Sequence, residues 1–235
     1  MSDSQSSFQI AIDGPVAAGK GTVSKLVASR LGFLYVDTGA MYRMTALLGI
    51  RNQVNLDDEQ ALLPLVKKSK MEMRTPNENE QDGRLVTVFL NGEDVSWKIR
   101  TEEVSQGSSK VAVHPLIRKE LVKKQQQIAE AQSVVMEGRD ITHTVLPNAD
   151  LKIFLTANEI VRAKRRHLDL LTKGIDVEFE EVYQDLLQRD ARDSGRETTP
   201  LQITPDAWVI DTSDLSINKV IELITTKVKV MQENK

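Results

Sequence analysis

The segment Gly14-Pro15-Val16-Ala17-Ala18-Gly19-Lys20-Gly21-Thr22 combines small side chains with one lysine and one hydroxyl. Small residues let successive backbone N–H groups converge on an anion, and the start of a following helix adds positive potential. Lys20 has the reach to meet β- and γ-phosphoryl oxygens, and Thr22 can help place Mg2+, largely through water and ATP phosphates. In the usual phosphate-loop pattern Ser or Thr follows the lysine directly, whereas here Gly21 intervenes. A glycine-bearing turn without a ligand is the bland alternative. The lysine, the spacing and the flanking elements argue together against it.

Further polar groups suit the same chemistry. Asp37-Thr38-Gly39-Ala40-Met41-Tyr42-Arg43 supplies a hydroxyl, a phenol and a guanidinium within about two turns of a helix start, a set fit for a second phosphate-bearing ligand. Arg139 sets a fixed fork of donors beside the acceptor-only carboxylate of Asp140. The pair could hold a phosphate and an exocyclic amino group respectively. Arg189, Arg192, Asp193 and Arg196 follow helical spacing and are expected to share one helix face, where they could clamp phosphates. Arg162, Arg165 and Arg166 cluster on the preceding helical stretch, and Thr172-Lys173-Gly174 offers a turn between the two. Together they suggest a mobile arginine lid. Phosphoryl transfer depends on charge neutralisation and positioning more than on a covalent nucleophile, so arginines gathered round one phosphate loop are chemically sensible. Ordinary ion pairs and solvated helix faces remain the alternatives for each cluster alone.

The elements that must position these groups follow from hydrophobic periodicity. Residues 8–12 read as a buried strand and residues 20–31 as a helix with Val23, Leu26, Val27 and Leu31 on one face, with Gly32 as its C-cap. A second strand is expected at 33–36 and another helix from about residue 40. This β-α-β-α alternation implies a parallel sheet, in which ligands bind beyond the carboxyl ends of the strands. Residues 84–90 alternate, Asn91-Gly92 is a strong hairpin turn, and 95–99 are expected as the return strand of a small antiparallel insertion. Helices are expected at 102–113, 114–131, 159–171, 177–192 and 216–231, and strands at 133–136, 150–155 and 207–210.

The 235-residue length suits one α/β catalytic unit, and 40% hydrophobic with 28% charged residues marks a globular chain. A net charge of -3 gives no general attraction to nucleic-acid polymers. The absence of cysteine excludes disulfides, thiolate metal sites and cysteine nucleophiles, and fits a cytoplasmic protein. Residues 1–7 are polar, unlike a signal peptide, and no apolar run approaches a membrane span. His114, His143 and His167 lack metal-site spacing and receive no role.

Taken together, Gly14 to Thr22, Asp37 to Arg43, Gly138-Arg139-Asp140 and Arg189-Asp190-Ala191-Arg192-Asp193 resemble the bacterial cytidylate kinase family. Asn91-Gly92-Glu93-Asp94-Val95, Ile99-Arg100-Thr101 and Lys152-Ile153-Phe154-Leu155 extend the likeness over almost the whole chain. The resemblance implies a P-loop NTPase-type α/β fold, a parallel sheet flanked by helices with an antiparallel insertion in the monophosphate-binding region and a helical lid. The corresponding division is a core at about 8–62, 132–160 and 200–235, an insertion at about 63–131 and a lid at about 161–199. It implies transfer from ATP, with Mg2+, to CMP or dCMP, by a cytoplasmic monomer acting on small nucleotides alone. Lys20, Arg139, Arg189 and Arg196 would be catalytic, and Gly14 to Thr22 with Arg162 and Arg166 would bind ATP. Ser109, Arg118 and Asp140 would read cytosine, Arg43, Arg139 and Arg196 would hold the acceptor phosphate, Thr38 and Tyr42 would line its site, and Arg189 with Asp193 would approach the sugar. Where many members have Gly the chain has Ala17, and where some have Ser it has Thr38. Two rivals stay open: a kinase of UMP, AMP or a carboxylate metabolite, and a nucleotide-dependent switch, although an Asn-Lys-x-Asp guanine-reading motif is absent.

Overall fold

The computed structural model describes residues 7–234 apart from 81, 85, 173, 197 and 198. The expectations for residues 1–6, for Leu85 in the alternating stretch and for Lys173 in the lid turn lie outside the described residues. The chain opens with β1 (Gln9–Asp13), α1 (Lys20–Leu31), β2 (Leu34–Asp37) and α2 (Thr38–Arg51), so the expected β-α-β-α start is present. α3 (Glu59–Lys68), β3 (Met71–Arg74), β4 (Thr87–Leu90), β5 (Glu93–Asp94), α4 (Glu102–Val111) and α5 (Pro115–Ala131) follow. The chain closes with β6 (Val134–Glu137), β7 (Leu151–Thr156), α6 (Glu159–Thr172), α7 (Phe179–Ser194), β8 (Trp208–Asp211) and α8 (Ile217–Glu233). The larger sheet is five-stranded and parallel with order β2-β6-β1-β7-β8, and the smaller is antiparallel with order β3-β4-β5.

Contacts divide the chain into two compact units, the first built on Phe33–Met136 and the second on Gln9–Gly32 with the chain from Glu137 onward. In the first, α2 packs on α4 and α3 on α5, burying Met41, Met44, Leu62, Ile117 and Leu121. Two of these helix starts carry aspartate caps: Asp37 accepts from Ala40 N–H and Asp58 from Ala61 N–H, each such cap being worth about 1 kcal/mol. In the second unit β1 pairs with β7 from Ile10–Leu151 to Asp13–Phe154, and β7 with β8 from Ile153–Trp208 to Thr156–Asp211. Both faces of β1 are buried, as its unbroken apolar run Ile10-Ala11-Ile12 requires. α1 ends as expected at Gly32, whose φ of 70° suits a residue without a Cβ and whose N–H bonds Ala28 O.

The structure differs from the sequence expectations at several places. The expected return strand at 95–99 is replaced by the two-residue β5 and a 3₁₀ turn at Lys98–Arg100. The Ser96 side chain causes this, because its Oγ accepts from Val88 N–H and donates to Asp94, taking the place of a backbone ladder bond. α7 stops at Ser194 with Gly195 as C-cap, so Arg196 lies beyond the helix face it was expected to share. α3 was not anticipated, nor was the π-helical turn Ile141–Val145, which Leu146 N–H closes on Ile141 O at 2.8 Å.

Candidate active site

The phosphate loop leaves β1 at Gly14, where a Cβ would lie 2.0 Å from Leu155 O, so no side chain fits there. The loop then turns through two left-handed residues, Ala17 at φ 57° and Gly19 at φ 88°, the second being the N-cap of α1. Ala17 thus stands at a position where glycine would be unstrained. Lys20 is buried and folds back over the loop, its Nζ donating to Pro15 O at 2.7 Å. Burial, and then the positive charge of Arg139, lower the Lys20 ammonium to about 7, against the opposing pull of Glu137, Asp13 and Asp193.

A cationic group surrounds the Asp193 carboxylate. Arg139 Nε donates to its Oδ2 at 2.7 Å, and Arg196 pairs with its Oδ1 through NH2. So Arg196, although off the helix, still joins the cluster. Arg189 is exposed on α7, and desolvation and the positive charge of Arg139 hold it below its usual value against the pull of Asp193. Asp193 itself is held below the usual carboxylate range: burial opposes the shift, and Arg139 and Arg196 overcome it. Arg192 stays at the surface, donating to Gln188 O within its own helix.

The three arginines of α6 diverge rather than form one patch. Arg162 is buried, donating from Nε to Ala157 O and from NH1 to Val16 O in the phosphate loop at 3.1 Å, and pairing with Asp190 of α7 at 2.6 Å. Arg165 grips Thr212 at the end of β8 through both its hydroxyl and its carbonyl oxygen. Arg166 is exposed and pairs with Asp169. Asp140 is buried directly after Arg139, and Thr22 is exposed near the start of α1.

The remaining candidates lie in the first unit. Arg43 pairs with Asp37 at 2.6 Å, and its Nε is buried without a hydrogen-bond partner among the described residues. Gly39 leaves room for that pair, since a Cβ there would come within 3.0 Å of Asp37 Oδ1. Thr38 is buried at the start of α2. The buried Arg118 donates to Ala112 O and lies over the half-buried ring of Tyr42, 5.6 Å from its centroid. Ser109 is exposed on α4.

Residues 10–230 match the family model described as cytidylate kinase. The chain belongs to the cytidylate kinase family. Its sequence is 47% identical over 220 residues to a cytidylate kinase of Geobacillus sp. (strain WCH70), covering 94% of this chain and 96% of the relative. It is 47% identical over 217 residues to that of Bacillus thuringiensis (strain Al Hakam), covering 92% and 94%. An uncharacterized protein from Eubacterium ventriosum shares the fold, with TM-score 0.51 and 12% identity over 94% of this chain and 98% of that one. As a cytidylate kinase family member the protein is an ATP-dependent nucleoside monophosphate kinase.

Among the described residues this kinase has no cluster of three or more histidine or acidic side chains that could hold a metal. A magnesium ion that keeps water and substrate phosphate oxygens as most of its ligands needs no such cage, and the exposed Thr22 hydroxyl beside the loop fits that mode. No helix of the described chain is long and apolar enough to cross a membrane.

Sequence reasoning missed Asp13, Asp37, Asp190 and Thr212. Asp13 is fully buried, and its carboxylate accepts from Ile141 N–H, Thr142 N–H and Thr142 Oγ1 at 2.9, 2.8 and 2.6 Å. Burial pushes its carboxyl above the usual range against the pull of these bonds. A carboxylate ending an otherwise apolar core strand was the available signal. Asp190 sat inside a motif already singled out, but its partner Arg162 comes from another helix.

Proposed function

We propose that this kinase transfers the γ-phosphoryl group of ATP to CMP or dCMP, giving CDP or dCDP and ADP, and that it acts in the cytoplasm. The observation that carries the reading is the cationic group of Lys20, Arg139, Arg189 and Arg196 about one buried carboxylate, Asp193. Cations gathered at one point can meet the charge that develops on a transferring phosphoryl group, which is what stabilisation in phosphoryl transfer requires. The identity to relatives named cytidylate kinase supports the choice of acceptor.

In this reading the backbone N–H groups from Gly14 to Thr22 cradle the donor phosphates and Lys20 turns from Pro15 O to the β- and γ-oxygens. Mg2+ bound with ATP would neutralise phosphate charge, with Thr22 as its protein contact. Arg162 would serve ATP chiefly by fixing the Val16 carbonyl, and Arg166 would reach it from a lid at about 161–199. Arg43, Arg139 and Arg196 would take the acceptor phosphate, with Thr38 and Tyr42 lining its site and Arg189 and Asp193 at the sugar. Ser109, Arg118 and Asp140 would read the base. Asp140, a buried acceptor, suits the exocyclic amine of cytosine, and uracil would leave it without that donor.

The test is ADP formation with CMP, dCMP, UMP, AMP or no acceptor, repeated with Asp140→Ala. CMP and dCMP should dominate in the wild type, and Asp140→Ala should erode cytosine preference by at least about tenfold. Faster turnover with AMP or UMP, or an unchanged base preference in the variant, would remove the acceptor assignment.

A further inference from the structure

We propose that Asp13 is a positioning residue that holds the Arg139-Asp140 segment in register with the phosphate loop, and so sharpens the base preference assigned to Asp140. The inference rests on the reading of Asp140 given above. Asp13 is the last residue of β1 and directly precedes Gly14, the first residue of the phosphate loop.

The segment carrying Arg139 and Asp140 is tied to β1 on both sides. Before the pair, Gly138 N–H donates to Ile12 O at 3.0 Å. After it, Ile141 N–H and Thr142 N–H both donate to the Asp13 carboxylate, and Thr142 Oγ1 adds a third bond. Arg139 and Asp140 are therefore bracketed between a backbone tether and a side-chain tether on adjacent residues of one strand. The second tether has to come from a side chain. β1 ends at Asp13, and the two N–H groups open a helical turn that leaves them without partners of its own. A carboxylate supplies two acceptor oxygens at one point, whereas an amide would turn an N–H donor toward one of these N–H groups.

A buried carboxylate at this point would be an expensive way merely to fill space, since an apolar residue could do so. Its cost is offset by fixing two side chains relative to the loop. Displacements of about 1 Å at a reacting centre cost up to about 100-fold in rate. Asp13 touches no substrate in this account and acts through Asp140.

The experiment compares kcat/KM for CMP and UMP, with thermal melting, in the wild type, Asp13→Asn, Thr142→Val, Thr142→Ser and Asp140→Ala. Thr142→Val removes only the hydroxyl bond and should lower the CMP:UMP ratio about threefold, and Asp13→Asn about tenfold or more, whereas Thr142→Ser should keep the wild-type ratio. If Asp140→Ala changes the ratio but Asp13→Asn and Thr142→Val lower only the melting temperature, Asp13 is merely structural and the inference is overturned. If Asp140→Ala itself leaves the ratio unchanged, the base-reading assignment fails first and this inference with it. Should Asp13→Asn not fold, Thr142→Val decides the question alone.

Discussion

Lys20 is buried, its Nζ donates to the uncharged Pro15 O, and Arg139 acts on it with like charge, so its ammonium is lowered to about 7 despite the pull of Glu137, Asp13 and Asp193. Triphosphate binding should restore the charge, because phosphate oxygens replace a carbonyl as its partner. With a free-enzyme value of about 7, roughly a tenth of Lys20 is charged at pH 8. Binding at pH 8 should then take up about 0.9 proton and lose about 1.4 kcal/mol relative to a fully charged site. At pH 6, where Lys20 is already mostly charged, that uptake should shrink to about 0.1 proton. Calorimetry of a non-hydrolysable MgATP analogue in buffers of different ionisation enthalpy measures the uptake directly. Lys20→Met corrects for protons taken up by the nucleotide. The same uptake in wild type and Lys20→Met at pH 8 would refute the reasoning, as would an uptake that does not fall toward pH 6.

Other consequences follow from single contacts. Folding stability should carry the same group's signature: its folded value lies below the unfolded value of 10.5, so the charged form is penalised in the native state. Wild type should therefore lose stability relative to Lys20→Met as pH falls from about 10.5 to about 7, with no further change below, measured by denaturant midpoints. Arg162→Met and Asp190→Leu should each cost about 3 kcal/mol by stranding a buried charge, while the double variant costs less than either, which a double-mutant cycle would read; additive losses would mean the pair is not coupled. Ala17→Gly should raise stability by about 0.5 kcal/mol, the relief of a left-handed alanine exceeding the entropy lost by glycine; a lowered unfolding midpoint would count against that balance.

The parallel-sheet order of elements was legible in the sequence because each core strand is a short apolar run closed by polar residues, and α1 carries its own boundaries in Lys20 and Gly32. The phosphate loop was legible for the same local reason: spacing along one segment determines backbone geometry there. The return strand at 95–99 was misjudged because apolar alternation does not register a serine that substitutes for the ladder. α3 is not marked in the sequence because Pro64 stands inside it and the apolar residues Leu62, Leu63, Leu65 and Val66 run together around it, so no single helical face stands out.

Local sequence therefore determined which residues carry charge and which turns they stand on. It could not determine which charges meet, because Asp13 with Ile141, Arg162 with Asp190, and Arg139 with Asp193 are each separated by many residues and brought together only by chain packing. Arg162, Arg165 and Arg166 illustrate the limit. Their spacing implied one basic cluster, yet packing buries the first against the phosphate loop, turns the second to Thr212 and leaves the third in solvent. Periodicity sets the direction in which a side chain leaves its helix, but the partner it finds there, and the desolvation it meets, belong to the tertiary structure.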